Sequence, residues 1–207
     1  MTDITHCGFI AIVGRPNVGK STLMNRLIGQ KVSITSAKAQ TTRHRIHGVL
    51  TTDDCQFIFV DTPGFQKQHR NALNRLMNRS VTQTLADVDV VLFLVEAGRW
   101  GGGEKDIIPM LPKDRPVLLV VNKVDRLADR AEVLPFLERV SKEFDFADIV
   151  PVSAERGENL DELLRTAAKH LPEGSQVLVQ IRPAVRPRMP LPACSTPSRA
   201  VPEWRGR

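Results

Sequence analysis

Short runs that are apolar at almost every position alternate along this chain with segments whose apolar residues recur every three or four places. Phe9-Ile10-Ala11-Ile12-Val13, Val88–Val95 and Pro116–Asn122 are of the first kind, which predicts strands covered on both faces. Leu23, Leu27 and Ile28 are of the second kind and place a helix from about Lys20 to Gly29. The same spacing predicts helices over Ala72–Leu85, Asp106–Leu111, Ala131–Phe144 and Asn159–Leu171, the last capped by Asn159. Ile46–Thr52 and Gln56–Asp61 flank Asp53-Asp54 and read as a hairpin, and Ala147–Val152 is a final strand. Six strands separated mostly by helices predict an α/β domain: a mainly parallel six-stranded sheet with helices on both faces. Ligands gather at the carboxyl ends of such strands.

Chemistry stands at those ends. Behind the first strand runs Gly14-Arg15-Pro16-Asn17-Val18-Gly19-Lys20-Ser21, a phosphate-binding loop. Gly14 and Gly19 let the backbone curl round a phosphate chain with N–H groups inward. Lys20 reaches the β- and γ-phosphates, Ser21 offers its hydroxyl to magnesium, and the helix beginning there turns its positive dipole end to the anion. Asp61-Thr62-Pro63-Gly64 follows the third strand, where a carboxylate can hold magnesium through water and the Gly64 N–H can reach the γ-phosphate. Asn122-Lys123-Val124-Asp125 follows the fifth strand. The Asp125 carboxylate can accept two hydrogen bonds from guanine, a donor pair adenine lacks, and sites of this kind reject analogues by ~10⁴ or more. Asn122 would brace the loops and the base edge, and the Lys123 stem would lie over the ring. Val152-Ser153-Ala154 ends the sixth strand, with the Ala154 N–H available to the guanine carbonyl. The polar loop from Ser33 to Arg43 is of a length that is usually functional; a Thr within it would complete a magnesium shell only when the γ-phosphate is present.

Composition changes the picture mainly at the end. The 207 residues suit one α/β domain and carry a formal charge of +6, which would ordinarily point to nucleic acid. Residues 177–207 supply +5 of it through Arg182, Arg186, Arg188, Arg199, Arg205 and Arg207 against Glu203, and they hold six prolines. That composition predicts disorder from 175 to 207. Such a tail is a basic arm for RNA or an acidic membrane surface, a solvated end, or residues translated out of frame after a domain of residues 1–174. No apolar run is long enough to span a bilayer, no signal-peptide pattern opens the chain, and Cys7, Cys55 and Cys194 fit free thiols. These features predict a cytoplasmic protein.

With these residues in view the chain resembles the Era family of bacterial GTPases, within the group that includes the tRNA-modifying and double-domain ribosome-assembly GTPases. The resemblance runs from about Cys7 to Pro172, through GRPNVGKS, KAQTTRHRI, DTPG, NRLMNRS, EAGRW, NKVD and VSAERG. It implies a P-loop NTPase fold of the Ras-like G-domain type and a cytoplasmic GTPase that binds GTP and GDP with Mg2+. Nucleotide contacts fall to Gly14, Asn17, Val18, Gly19, Lys20, Ser21, Thr22, Asp61, Thr62, Pro63, Gly64, Asn122, Lys123, Asp125, Ser153 and Ala154. Magnesium falls to Ser21, Asp61 and Thr42, with Thr41 as the alternative to Thr42. The family's partners are 16S rRNA and the 30S subunit, and it implies a monomer with weak peripheral contact at the inner membrane.

Phe65 stands where small Ras-like GTPases have the glutamine that orients water, so catalysis would rest on Asn17, Lys20, Thr42 and Gly64. Asn17 is similar to the asparagine that helps potassium-activated relatives hold K+ beside the phosphates; the alternative is that it braces the loop. After Gly174 the sequence shows no pattern of the RNA-binding KH domain that Era proteins carry, including its GxxG loop. Two other readings stand beside GTP hydrolysis: a nucleotide-dependent binding switch that turns over only with a ribosomal partner, and a truncated product that binds GTP but not RNA.

Overall fold

The computed structural model describes residues 6–30, 46–52, 54–60, 82, 84–127 and 129–174. Six strands form one sheet: β1 (His6–Val13), β2 (Ile46–Thr51), β3 (Cys55–Val60), β4 (Val90–Glu96), β5 (Val117–Asn122) and β6 (Asp148–Pro151). Their order is β2-β3-β1-β4-β5-β6, parallel throughout except for the β2–β3 hairpin at the edge. β1 and β4 are neighbours without being consecutive. The chain order therefore reverses beside β1, the position where open α/β sheets bind ligands.

Four α-helices are described: α1 (Lys20–Gln30), α2 (Gly102–Lys105), α3 (Val133–Val140) and α4 (Leu160–Lys169). Leu23, Met24 and Leu27 of α1 and Leu160, Leu163 and Ala167 of α4 pack on one face of the sheet, against Ile10, Phe57, Leu92 and Leu118. Phe136 and Val140 of α3 pack on the other, against Ala11, Val91, Phe93 and Leu119. With both faces covered, every residue of β5 is buried, which is why its sequence shows no alternation.

Three expectations shift. The short helix expected over Asp106–Leu111 divides into α2, which begins earlier, and a 3₁₀ turn at Ile108–Met110; Pro109 has no N–H with which to extend an α-helix through it. The helix expected over Ala131–Phe144 is α-helical only from Val133 to Val140, with a 3₁₀ turn at Arg130–Glu132 before it. Asn159 does stand at the N-cap position of α4, but with left-handed φ of 62° and no side-chain cap bond. Its Nδ2 donates instead to the Pro151 carbonyl at 2.8 Å, closing the loop after β6 onto the strand end. The expected helix Ala72–Leu85 lies mostly outside the described residues, as does the tail 175–207.

Candidate functional site

The loop from Gly14 to Gly19 joins β1 to α1 and owes its shape to residues that tolerate unusual backbone. Gly19 has φ of +102°, and Asn17, of a residue type that accepts the left-handed region more readily than most, has φ of 65°. A Cβ on Gly14 would run into the Leu94 carbonyl of β4, and one on Gly19 into the Asn122 side chain. Both glycines are fixed by close approach as well as by conformation. Lys20 folds back over the loop: its ammonium donates to the carbonyls of Gly14 at 2.8 Å and Arg15 at 2.6 Å. Burial lowers its pKa below 10.5 by disfavouring the charged form.

Asn122, at the end of β5, is buried and joins two loops. Its Nδ2 donates to the Val18 carbonyl at 2.8 Å, and its Oδ1 accepts from the Ala154 N–H at 2.9 Å. The bracing role expected of it is thus occupied on both sides. Lys123, with left-handed φ of 64°, extends its ammonium to the Asn17 carbonyl at 2.7 Å and to Glu96 Oε2 at 2.9 Å. Arg26 of α1 donates to the main-chain carbonyls of Ala154 and Glu155, tying the helix to the loop after β6.

Asp125 is the distinctive group. Its side chain is only 9% exposed, and its Oδ1 is buried with no hydrogen-bond partner among the described residues. A hydrogen bond with Ser153 first, with burial opposing and Arg156 and Arg126 assisting, holds its carboxyl below the usual carboxylate range. A buried, ionised oxygen is costly until donors are supplied to it.

A groove of about 440 Å³ runs between these loops, lined by Asn17, the stretch Gly19–Thr22, Asn122, Lys123, Arg126, Ala154 and Glu155. A larger cleft of about 790 Å³ lies between α1, the hairpin and α4, walled by Leu27, Leu50, Phe57 and Leu164, and it holds none of the motif residues. Chemistry, not size, picks the site.

Of the residues singled out in the sequence, Gly14, Asn17, Val18, Gly19, Lys20, Ser21, Thr22, Asn122, Lys123, Asp125, Ser153 and Ala154 converge here; Thr42, Asp61, Thr62, Pro63 and Gly64 lie outside the described residues. Two of the converging residues sit differently from expectation. Ser153 is fully buried and acts on Asp125, with its Oγ also accepting from the Arg156 N–H at 3.1 Å. The Ala154 N–H, expected to face a base carbonyl, is engaged by Asn122 Oδ1, because the asparagine needs an acceptor role to complete its bridge. Glu96, Glu104, Arg15 and Arg26 were not assigned roles from sequence. Their partners are 89 to 129 residues away for Arg15 and Arg26, and no local pattern marks such pairs.

A glycine-cornered loop behind β1, a lysine folded over it and an Asn-Lys-x-Asp loop at the next strand end but one define a P-loop NTPase domain of the GTPase type. The sequence model of the family described as "50S ribosome-binding GTPase" matches residues 9–123, more than half of the chain. GTPase Era of Nitrosomonas eutropha is 57% identical over 173 residues, covering 84% of this chain and 58% of that protein. GTPase Era of Bordetella pertussis is 59% identical over 167 residues, covering 81% and 56%. Among solved structures, Era in complex with MgGDPNP and nucleotides 1506–1542 of 16S ribosomal RNA superposes with a TM-score of 0.70 at 42% identity, covering 84% of this chain and 59% of that one. The chain belongs to this GTPase family, in its Era branch. It spans a little over half the length of the curated relatives it matches.

Proposed function

We propose that this chain binds guanine nucleotide in the groove between the phosphate loop and the loops after β5 and β6, and that it hydrolyses GTP to GDP and phosphate in the course of small-ribosomal-subunit assembly. The observation that carries the nucleotide reading is the convergence of the phosphate loop and Lys20 with Asn122 and Lys123 on one groove, next to an Asp125 carboxyl held below the usual carboxylate range. Guanine supplies two donors to one carboxylate; adenine does not. Lys20 and the N–H groups at the start of α1 take the β- and γ-phosphates.

Magnesium fits the donors available. Ser21 is exposed at the first turn of α1, on the groove wall beside Lys20, and among the described residues there is no cluster of three or more His, Cys, Asp or Glu that would cage a metal. Magnesium is ordinarily held by one or two protein oxygens together with phosphates and water. Ser21 would hold it, with Thr42 and Asp61 as the further ligands we assign; when bound, it neutralises charge on the phosphate oxygens. We assign Asn17, exposed on the same groove, to a monovalent cation, so that hydrolysis is slow and faster in K+ than in Na+.

The RNA complex of the superposed Era supports small-subunit RNA as the partner class. No helix among the described residues is long and apolar enough to cross a membrane, which is compatible with a cytoplasmic site of action. The test uses the purified chain: fluorescent GDP and ADP binding, phosphate release from GTP in K+ and in Na+ at matched ionic strength, and binding to an RNA of the 16S 3′ end. Tight GDP binding, weak ADP binding and K+-stimulated release are expected. Equal affinity for ADP and GDP would overturn the nucleotide reading, and equal turnover in both salts would remove the cation from it.

A further inference from the structure

The phosphate loop carries a second anchor, at Arg15. Arg15 follows Gly14, and its Nη1 donates to both oxygens of Glu104 in α2, at 3.1 and 3.4 Å. Glu104 is only 2% exposed, and its Oε2 also accepts from the Gly101 N–H at 3.0 Å. The guanidinium lies across Gly103, where any Cβ would collide with it. A buried carboxylate beside a cation is held by it, and here both carboxylate oxygens share one guanidinium nitrogen.

The platform under Glu104 is itself fixed. Trp100 packs edge-on against Phe93 of β4 at 6.2 Å between ring centres, and Lys105 pairs with Glu143 at 2.9 Å. The other end of Arg15 matters more. Its main-chain carbonyl is one of the two acceptors that seat the Lys20 ammonium, at 2.6 Å. One residue is thus tied by its side chain to the sheet-anchored α2 and by its backbone to the phosphate-reaching lysine.

We propose that the Arg15–Glu104 pair is a positioning device for Lys20: it pins the Arg15 peptide, and through it sets where the ammonium stands relative to the β-phosphate. The inference rests on the nucleotide reading above. Cutting the anchor frees the peptide, and a misplacement on the order of an ångström is worth about tenfold to a hundredfold where a group must meet its partner in fixed geometry.

The test separates positioning from mere support of the fold. Arg15→Met/Glu104→Met replaces a half-exposed arginine and its buried carboxylate together, so that no unpaired charge is left buried. Affinities for GDP and for GMP, which lacks the β-phosphate, are measured by competition on the full chain. The double variant is expected to lose GDP affinity about tenfold while GMP affinity is unchanged. Wild-type GDP affinity in a folded double variant, or an equal loss for GDP and GMP, would overturn the proposal. Glu104→Gln, which keeps the shape and the acceptor for Gly101, carries the same comparison with a smaller expected loss if the double variant does not fold. A wild-type chain that binds no GDP at all would instead sink the nucleotide reading, and this inference with it.

Discussion

Replacing Asn122 by alanine removes a side chain that spans the phosphate loop and the loop after β6. Two buried main-chain groups lose their partner at once, the Val18 carbonyl and the Ala154 N–H, at 2.8 and 2.9 Å in the intact protein. Each buried group left unsatisfied costs roughly 1–3 kcal/mol, so the variant should lose about 2–5 kcal/mol, less whatever water recovers by entering the gap. That is a large share of the stability of a domain this size. Urea unfolding, followed by far-UV circular dichroism, reads it as a fall in midpoint at constant slope. Asn122→Asp sharpens the argument: it keeps the acceptor for Ala154 but sets a carboxylate against the Val18 carbonyl, and should cost at least as much as alanine. A loss below about 0.5 kcal/mol for the alanine variant, the range of an ordinary surface substitution, would refute the view that this bridge holds the two loops together.

Other consequences are equally direct. Lys20 has a folded pKa below 10.5 and its protonated form attracts phosphate; GDP affinity should therefore fall as pH rises through that lowered value, and fall by more than guanosine affinity, which loses only the guanine N1–H in the same alkaline range. A flat GDP affinity up to pH 10.5 would contradict this. For Asp125 the sign is opposite: its folded pKa is depressed, so the stability it contributes is complete above 3.8 and lost only as pH falls through the lower folded value; Ser153→Ala should shift that loss toward higher pH in an acid-unfolding titration. Gly19→Ala combines a φ of +102° with collision against Asn122 and should destabilise by at least ~1–3 kcal/mol in the same urea assay, whereas Gly29→Ala, where a Cβ meets nothing, should be neutral or stabilising.

Much of the domain was legible because its signals are local. Apolar runs marked β1, β4 and β5, the period of Leu23, Leu27 and Ile28 marked α1, and the phosphate loop announced its own position between β1 and α1. Asn159 shows where local signals stop: the residue type marked the helix start correctly, but its side chain was drawn to Pro151 across the loop, a contact only the folded strand end provides. α2 was misplaced because Glu104, a charged residue, reads as exposed in sequence, yet it is buried by Arg15 and by the Gly101 N–H. The site was legible as a set of residue types and not as a circuit. That Ser153 serves Asp125, that Ala154 answers to Asn122, and that Lys123 bridges Glu96 and Asn17 are facts of three-dimensional approach.

We assign the reading of guanine to Asp125, and one titration tests it: GDP, xanthosine diphosphate and ADP binding to the wild-type chain and to Asp125→Asn. An amide cannot accept both guanine donors, but can pair with the carbonyl that xanthine carries in place of the exocyclic amine. The wild type is expected to prefer GDP by ~10⁴, and the variant to invert the order in favour of the xanthine nucleotide. A variant that still prefers GDP as strongly as the wild type would contradict it.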